Sequence, residues 1–326
     1  LETQIVAANS LISLVREQTL TTPKSEKLQE ALREVRHEYF TARSYSMKKR
    51  LRKKDDDLRE ELTTELEENA EFAGKDADRM TKWNPYHTNK AADFFDPRWM
   101  FGMKDGTPNH EGVFDIVISN PPYVRGGELK NQVAVDNDGK EKPLKDVLKG
   151  LYNCHTGNTD LYVYFYERSF QLLKPDGVLS TITSHTYFRS GYGAPLRMHL
   201  TYATRLHTIL DFGDAPVFTA IAYPCIVVAQ KTRHVRKGEL PMVLSEQQRP
   251  PAEWQVQVLN WEPGPSVSTF PELFEDKAFP VQQRLLNLDG WQLEEAQDVK
   301  LLDRLITTRR PLGDYCGNRI YRGVTT

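Results

Sequence analysis

The sequence predicts an α/β fold with a largely parallel sheet. Three observations carry this. Short apolar runs rich in β-branched residues recur at 113–119, 178–183, 206–212 and 225–229. An amphipathic helical stretch, Asp160 to Leu173, stands between the first two of them. With 326 residues, 39% of them apolar, the chain has material for about two domains, or for one large domain with an insertion.

Composition removes several classes. The 43 Lys and Arg nearly balance the 45 Asp and Glu, for a net charge of -2, so any basic surface for a polyanion must be local. The three cysteines, Cys154, Cys225 and Cys316, form neither a disulfide framework nor a metal-ligand cluster. That fits a reducing cytoplasm, and no metal is expected. No apolar run approaches the roughly 18 residues of a membrane span, and the N-terminus lacks a signal-peptide pattern.

In chain order, residues 1–12 read as a short buried strand and a turn. Leu28, Leu32, Val35 and Tyr39, then Leu58, Leu62 and Leu66, recur at helical spacing and predict two long charged helices forming an antiparallel hairpin. Pro23 suits the start of the first. The basic run Lys48 to Lys54, followed by Asp55, Asp56 and Asp57, can touch phosphates or form a solvated face balanced by its acids. Residues 84–112 form an irregular connection. Val113 to Ser119 is nearly continuous in apolar residues, the mark of a strand covered on both faces. A mobile loop is expected over 126–158. The helix from Asp160 ends at Lys174-Pro175-Asp176-Gly177, and strands follow. Residues 234–300 are Pro-rich and mixed, and a helix is expected at Leu301 to Ile306.

The informative motif is Asn120-Pro121-Pro122-Tyr123, directly after the buried strand. An exocyclic amine conjugated to a ring is a poor nucleophile because its lone pair is delocalised. Two acceptors aimed at its N–H groups favour rehybridisation and turn the lone pair toward a methyl donor. The Asn120 amide oxygen and the Pro121 carbonyl can supply both. Consecutive prolines fix the backbone and remove competing N–H donors. The Tyr123 ring can stack on a base. Positioning and electrostatics then supply the catalysis, at the strand end where open α/β sheets bind ligands.

Phe114 to Arg125, with this tetrapeptide inside it, resembles the catalytic motif of amino-group DNA methyltransferases. More narrowly, the chain resembles the N6-adenine methyltransferases of type IIG restriction–modification enzymes and the related BREX phage-exclusion methyltransferases. Further segments fit in order: Leu1 to Ile12, the charged hairpin with Phe95-Asp96-Pro97-Arg98-Trp99-Met100-Phe101-Gly102, Thr159 to Leu173, and Pro311-Leu312-Gly313 with Ile320 to Thr325. The resemblance implies a partial Rossmann-like class I methyltransferase sheet. Residues 1–20 would hold its third strand, 21–83 the helical-hairpin insertion, 84–233 the catalytic core, 234–300 a connecting region and 301–326 the start of a target-recognition domain.

The same resemblance implies a site. Asn120, Pro121, Pro122 and Tyr123 would be catalytic, with Tyr123 stacking on an adenine flipped from double-stranded DNA. Phe218, or failing it Tyr223, would cover the other face of the base. Asn9, Asn120 and Asp160 would contact S-adenosyl-L-methionine. Asn9 also fits a turn, and Asp160 a helix N-cap. The family's glycine-rich cofactor loop has no match here, and most of the target-recognition domain is absent. A fragment inactive by itself is therefore expected, with further domains of a parent chain as partners. Methylation of RNA or of protein glutamine, and a non-catalytic DNA-binding scaffold, are the competing readings.

Overall fold

A computed structural model describes residues 5–14, 22–68, 79–86, 90–103, 112–136, 140–218, 223–262, 266–286 and 288–295, with residues 301, 304 and 308. The chain divides into two compact units. One comprises residues 1–179 and 231–240, the other 180–230 and 241–326.

In the first unit the chain described from Ile5 makes a turn at Ser10 and Leu11, and residues 1–4 and 15–20 of the expected third strand lie outside the described residues. Ala8 makes an isolated parallel bridge to Ala92, and among the described residues this bridge is the only sheet pairing before residue 12. The hairpin follows as read: α1 (Pro23–Thr41) and α2 (Tyr45–Glu68). Pro23 opens α1, and the Thr22 hydroxyl accepts from Ser25 N at 3.0 Å, satisfying a backbone donor that the first turn leaves orphaned. Leu28, Leu32, Val35 and Tyr39 are buried along one stripe, packing with Ile12, Leu62, Trp83, Phe94 and Trp99 in two clusters. At its centre lies a fully buried carboxylate, Asp55. It accepts from Arg36 Nε at 2.9 Å and from Arg59 Nε at 2.7 Å. The basic run divides: Arg52 bonds the Tyr39 hydroxyl through Nε at 3.0 Å, Lys48 lies over the Tyr39 ring, and Lys49, Arg50, Lys53 and Lys54 are exposed.

A short helix α3 (Pro97–Phe101) is capped by Asp96, whose carboxylate accepts from Trp99 N. Strand β1 (Phe114–Ser119) comes next. It corrects one expectation. Ile116 and Ile118 are 63% and 81% exposed, so the strand is covered on one face only among the described residues. The segment expected as a loop is also structured. It folds into an antiparallel pair, β2 (Val133–Val135) and β3 (Glu141–Pro143), and a helix α4 (Leu144–Leu151). Leu129, Leu144, Leu148 and Tyr152 from this stretch pack on Leu11, Leu161 and Tyr164, and that apolar contact is what orders it. Helix α5 (Leu161–Leu172) leads straight into β4 (Leu173–Ser184). The Lys174 to Gly177 segment lies inside the strand rather than before it, with Asp176 at φ 61°. Lys174 Nζ sits 2.9 Å from both Asp115 oxygens.

In the second unit the chain continues through α6 (Ala194–Ala203), β5 (Thr204–Asp211), β6 (Pro224–Lys231), β7 (Gln255–Asn260), α7 (Phe270–Lys277) and β8 (Phe279–Gln282). The last three fall in the segment read as mixed. The sheet order is β1-β4-β6-β5-β7-β8, and the sheet is mixed. β5 and β7 are parallel, from Thr208↔Gln257 to Asp211↔Asn260. β7 and β8 are antiparallel. The buried Gln283 amide ties β5 to the end of β8, accepting from Leu206 N at 2.9 Å and donating to Thr204 O at 2.8 Å. Pro311 to Gly313, Ile320 to Thr325, and most of Leu301 to Ile306 lie outside the described residues.

Candidate active site

Strand β1 stops at Ser119, and the two prolines enforce the stop because neither can donate to a ladder. Asn120 is exposed, Pro121 buried, Pro122 exposed and Tyr123 half-buried. This alternation seats the loop through Pro121 while leaving the Asn120 amide at the surface.

What holds the loop is the start of α5. Val124 O accepts from Leu161 N at 3.0 Å, and Gly126 N donates to Asp160 Oδ1 at 2.7 Å. Asp160 occupies the N-cap position of α5 but makes no side-chain cap bond to its own helix. Its carboxylate reaches instead to the loop, an acceptor of the charge-assisted, short kind. Gly126 is required by space. A Cβ there would lie 2.5 Å from Asn158 O and 2.7 Å from Thr159 O.

The remaining expected residues are placed as follows. Asn9 is in a turn: its side-chain oxygen accepts from Leu11 N at 3.2 Å, and its own N–H donates to Ala92 O at 2.8 Å. Phe218 is half-buried and Tyr223 is 46% exposed. Both belong to the second unit, where the Tyr223 ring stacks on His185 at 5.5 Å and 4°. Of the three residues expected at the methyl donor, Asn9 and Asp160 thus each have a side-chain oxygen engaged in holding the chain. Asn120 is exposed at the end of β1.

Neither described cysteine is a nucleophile. Cys154 and Cys225 are buried, and burial pushes both thiols up, with Glu167 adding to the effect at Cys154 and Asp211 at Cys225. Sequence reading missed the anchors Val124 and Gly126. A glycine so soon after the tetrapeptide was the available signal. It also missed His185 and Asp211, which no local pattern links.

The description "Eco57I restriction-modification methylase" matches residues 4–218, which includes the hairpin, β1, the Asn120–Tyr123 loop and α5. The chain belongs to this family. Among curated members of similar sequence, it is 32% identical over 123 residues to the type II methyltransferase M.PaeR7I of Pseudomonas aeruginosa, 37% of this chain and 20% of that protein. It is also 32% identical over 122 residues to the type II restriction enzyme and methyltransferase RM.Eco57I of Escherichia coli, 37% of this chain and 11% of that protein. The chain therefore spans about a fifth or less of the length of these two relatives. Among solved structures, the type I restriction–modification methyltransferase subunit of Streptococcus thermophilus aligns with TM-score 0.37 and 13% identity, over 65% of this chain and 45% of that one. Among the described residues, no helix of this Eco57I-family methylase is long and apolar enough to cross a membrane.

Proposed function

We propose that this chain supplies the target-base side of a site-specific DNA methyltransferase acting on adenine N6 in a restriction–modification or phage-defence setting. The observation that carries the reading is the strand-ending Asn120-Pro121-Pro122-Tyr123 loop, with the Asn120 amide exposed and the backbone clamped to α5. Asn120 Oδ1 and the Pro121 carbonyl accept the two N–H groups of an adenine amine flipped from the duplex, and the Tyr123 ring stacks on the base. The aromatic expected for its opposite face, Phe218 or failing it Tyr223, belongs to the second unit. S-adenosyl-L-methionine supplies the methyl group. Family membership supports the reaction class, and the named relatives are methyltransferases of type II systems.

The test is Asn120→Ala in the full-length protein. Loss of a preoriented acceptor is expected to lower methylation about 100-fold or more. The assay is mass spectrometry for N6-methyladenine on duplex DNA, with RNA and protein substrates in parallel. Unchanged methylation would favour the scaffold reading, for which the exposed Lys49, Arg50, Lys53 and Lys54 offer a phosphate contact. Product on RNA or glutamine alone would move the substrate class.

A further inference from the structure

A recess of about 300 Å³ lies at the start of β1, and its described lining belongs wholly to the first unit. Gly112 and Val113 lead from it into the strand, whereas Asn120 leaves the strand at its other end, and none of residues 120–123 lines the recess. One wall belongs to a basic run, Lys231-Thr232-Arg233-His234-Val235-Arg236-Lys237. This run is fastened to the first unit along its length. Lys231 Nζ donates to Leu173 O at 2.6 Å, Val235 is buried, and Lys237 Nζ donates to Tyr152 O at 2.6 Å. Asn153 Nδ2 donates to Arg236 O at 3.0 Å, and Asn153 Oδ1 accepts from Gly238 N at 2.7 Å. The wall is therefore preformed.

The lining is strongly cationic. Arg98, Arg168, Arg236 and Lys237 line it with His234, against a single carboxylate, Asp96, among the described residues. Asp96 is committed through Oδ1 to capping α3. Arg236 and Lys237 are exposed, while Arg168 is 8% exposed. Arg168 is thus a buried cation, and neutral groups hold it. Its Nε donates to Ser10 O at 2.9 Å, Nη2 to Phe95 O at 2.9 Å and Nη1 to Gln171 Oε1 at 3.4 Å. These bonds use three of the five N–H groups of a guanidinium and leave one on each Nη. Among the described residues no carboxylate forms an ion pair with Arg168, in contrast to the buried Arg36, which has Asp55 at 2.9 Å. Burial lowers the Arg168 pKa from its ordinary value, with Tyr152 and Asp96 opposing and Arg98 adding to the effect, yet a guanidinium stays charged in proteins. A buried charge without a counter-charge is costly, and here it borders a cavity that an anion can enter.

We propose that this recess binds a phosphate dianion. The planar fork of a guanidinium matches phosphate oxygens in pairs, and Arg168 keeps an unused N–H on each Nη for that purpose. Four Arg and Lys charges against one carboxylate favour a doubly charged anion over a singly charged one. The dianion has two sources, free inorganic phosphate or the terminal phosphate of a small monoester. Bound there, it supplies the counter-charge of the residue that already links the Ser10 turn, Phe95 and α5. The inference stands on these residues alone and does not need the Asn120 reading.

The test is isothermal titration calorimetry of the full chain at constant ionic strength and near-neutral pH. The probes are inorganic phosphate, glycerol 2-phosphate, acetate and dimethyl phosphate, the last a singly charged diester like those of a nucleic-acid backbone. Saturable binding of inorganic phosphate is expected, with acetate and dimethyl phosphate about tenfold weaker or more. Binding of glycerol 2-phosphate as well admits the monoester as a source; its exclusion assigns the site to the free ion. Gln171→Glu keeps the shape of the side chain and sets a carboxylate against Arg168. It is expected to weaken phosphate binding about tenfold or more and to raise the urea midpoint of the ligand-free chain. Arg236→Gln, at an exposed position, is expected to weaken binding about threefold, and it carries the test should Gln171→Glu not fold. Absence of saturable phosphate binding, or phosphate binding unchanged in Gln171→Glu, leaves Arg168 a brace for Ser10 and Phe95 and overturns the proposal. Dimethyl phosphate bound as tightly as phosphate overturns it in favour of a backbone contact.

Discussion

Gly126 and Asp160 decide whether the Asn120 loop keeps its shape. A Cβ at Gly126 would meet main-chain atoms of Asn158 and Thr159, which cannot swing aside. Gly126→Ala is therefore expected to cost about 1–3 kcal/mol, measured by urea unfolding. Asp160→Ala removes the acceptor of a buried N–H, at about 1.5–3 kcal/mol, whereas Asp160→Asn keeps an oxygen and should cost less. His155 offers a pH test. Its imidazole pKa is lowered from its ordinary value of about 6.5, first by burial and then by Lys149, Lys237 and Lys145, with Asp146 opposing. Folding therefore favours the neutral ring, whose Nδ1 lies 2.8 Å from the Tyr164 hydroxyl. The unfolded chain takes up the proton first. The contribution is present above about pH 6.5 and is lost as pH falls through the lower folded value. Unfolding free energy measured across this range should decline toward acid, and His155→Gln should flatten the decline.

At the level of elements, the helical hairpin shows what a sequence reveals and what it hides. The 3.6-residue spacing of Leu28, Leu32, Val35 and Tyr39 is local, and it located α1 and α2. Asp55 reads as one of three flanking acids, yet it is the buried centre of an ion cluster. Its partner Arg36 is 19 residues away, and no periodicity encodes that pairing. Asp55→Ala leaves Arg36 buried without the Asp55 carboxylate and Arg59 with Asp56 alone, and is expected to cost about 3–5 kcal/mol. Asp57→Ala, at the exposed surface, should stay within about 0.5 kcal/mol. Comparison of the two by denaturant melts isolates the buried pair. The Asn120 tetrapeptide was legible for the same reason as the helices: strand, stop and motif are contiguous. The stretch 126–158 was not, because β2 and β3 are three residues each and are ordered by contacts with Leu11 and α5. β7 carried a signal in the alternation of Gln255-Val256-Gln257-Val258, obscured by the prolines around it. The His185–Asp211 pair is legible only once β4 and β5 lie in one sheet.

For the molecule as a whole, the arrangement of donors and acceptors bears on cofactor affinity. One oxygen of Asn9 is spent on Leu11 and one of Asp160 on Gly126, and the sequence has no match to the family's glycine-rich cofactor loop, so this chain by itself is expected to bind S-adenosyl-L-methionine more weakly than micromolar. Isothermal titration calorimetry of the chain checks this, and a micromolar dissociation constant would refute it.

Among the described residues, strand β1 stands at one end of the sheet order, with Ile116 and Ile118 exposed on the same face two residues apart. Uncovered isoleucines on an end strand are adhesive, and proteins ordinarily blunt such a strand with charge. The purified chain should show concentration-dependent light scattering. A lysine in place of Ile118 should make it better behaved in solution, while the adjoining Asn120 loop keeps its conformation.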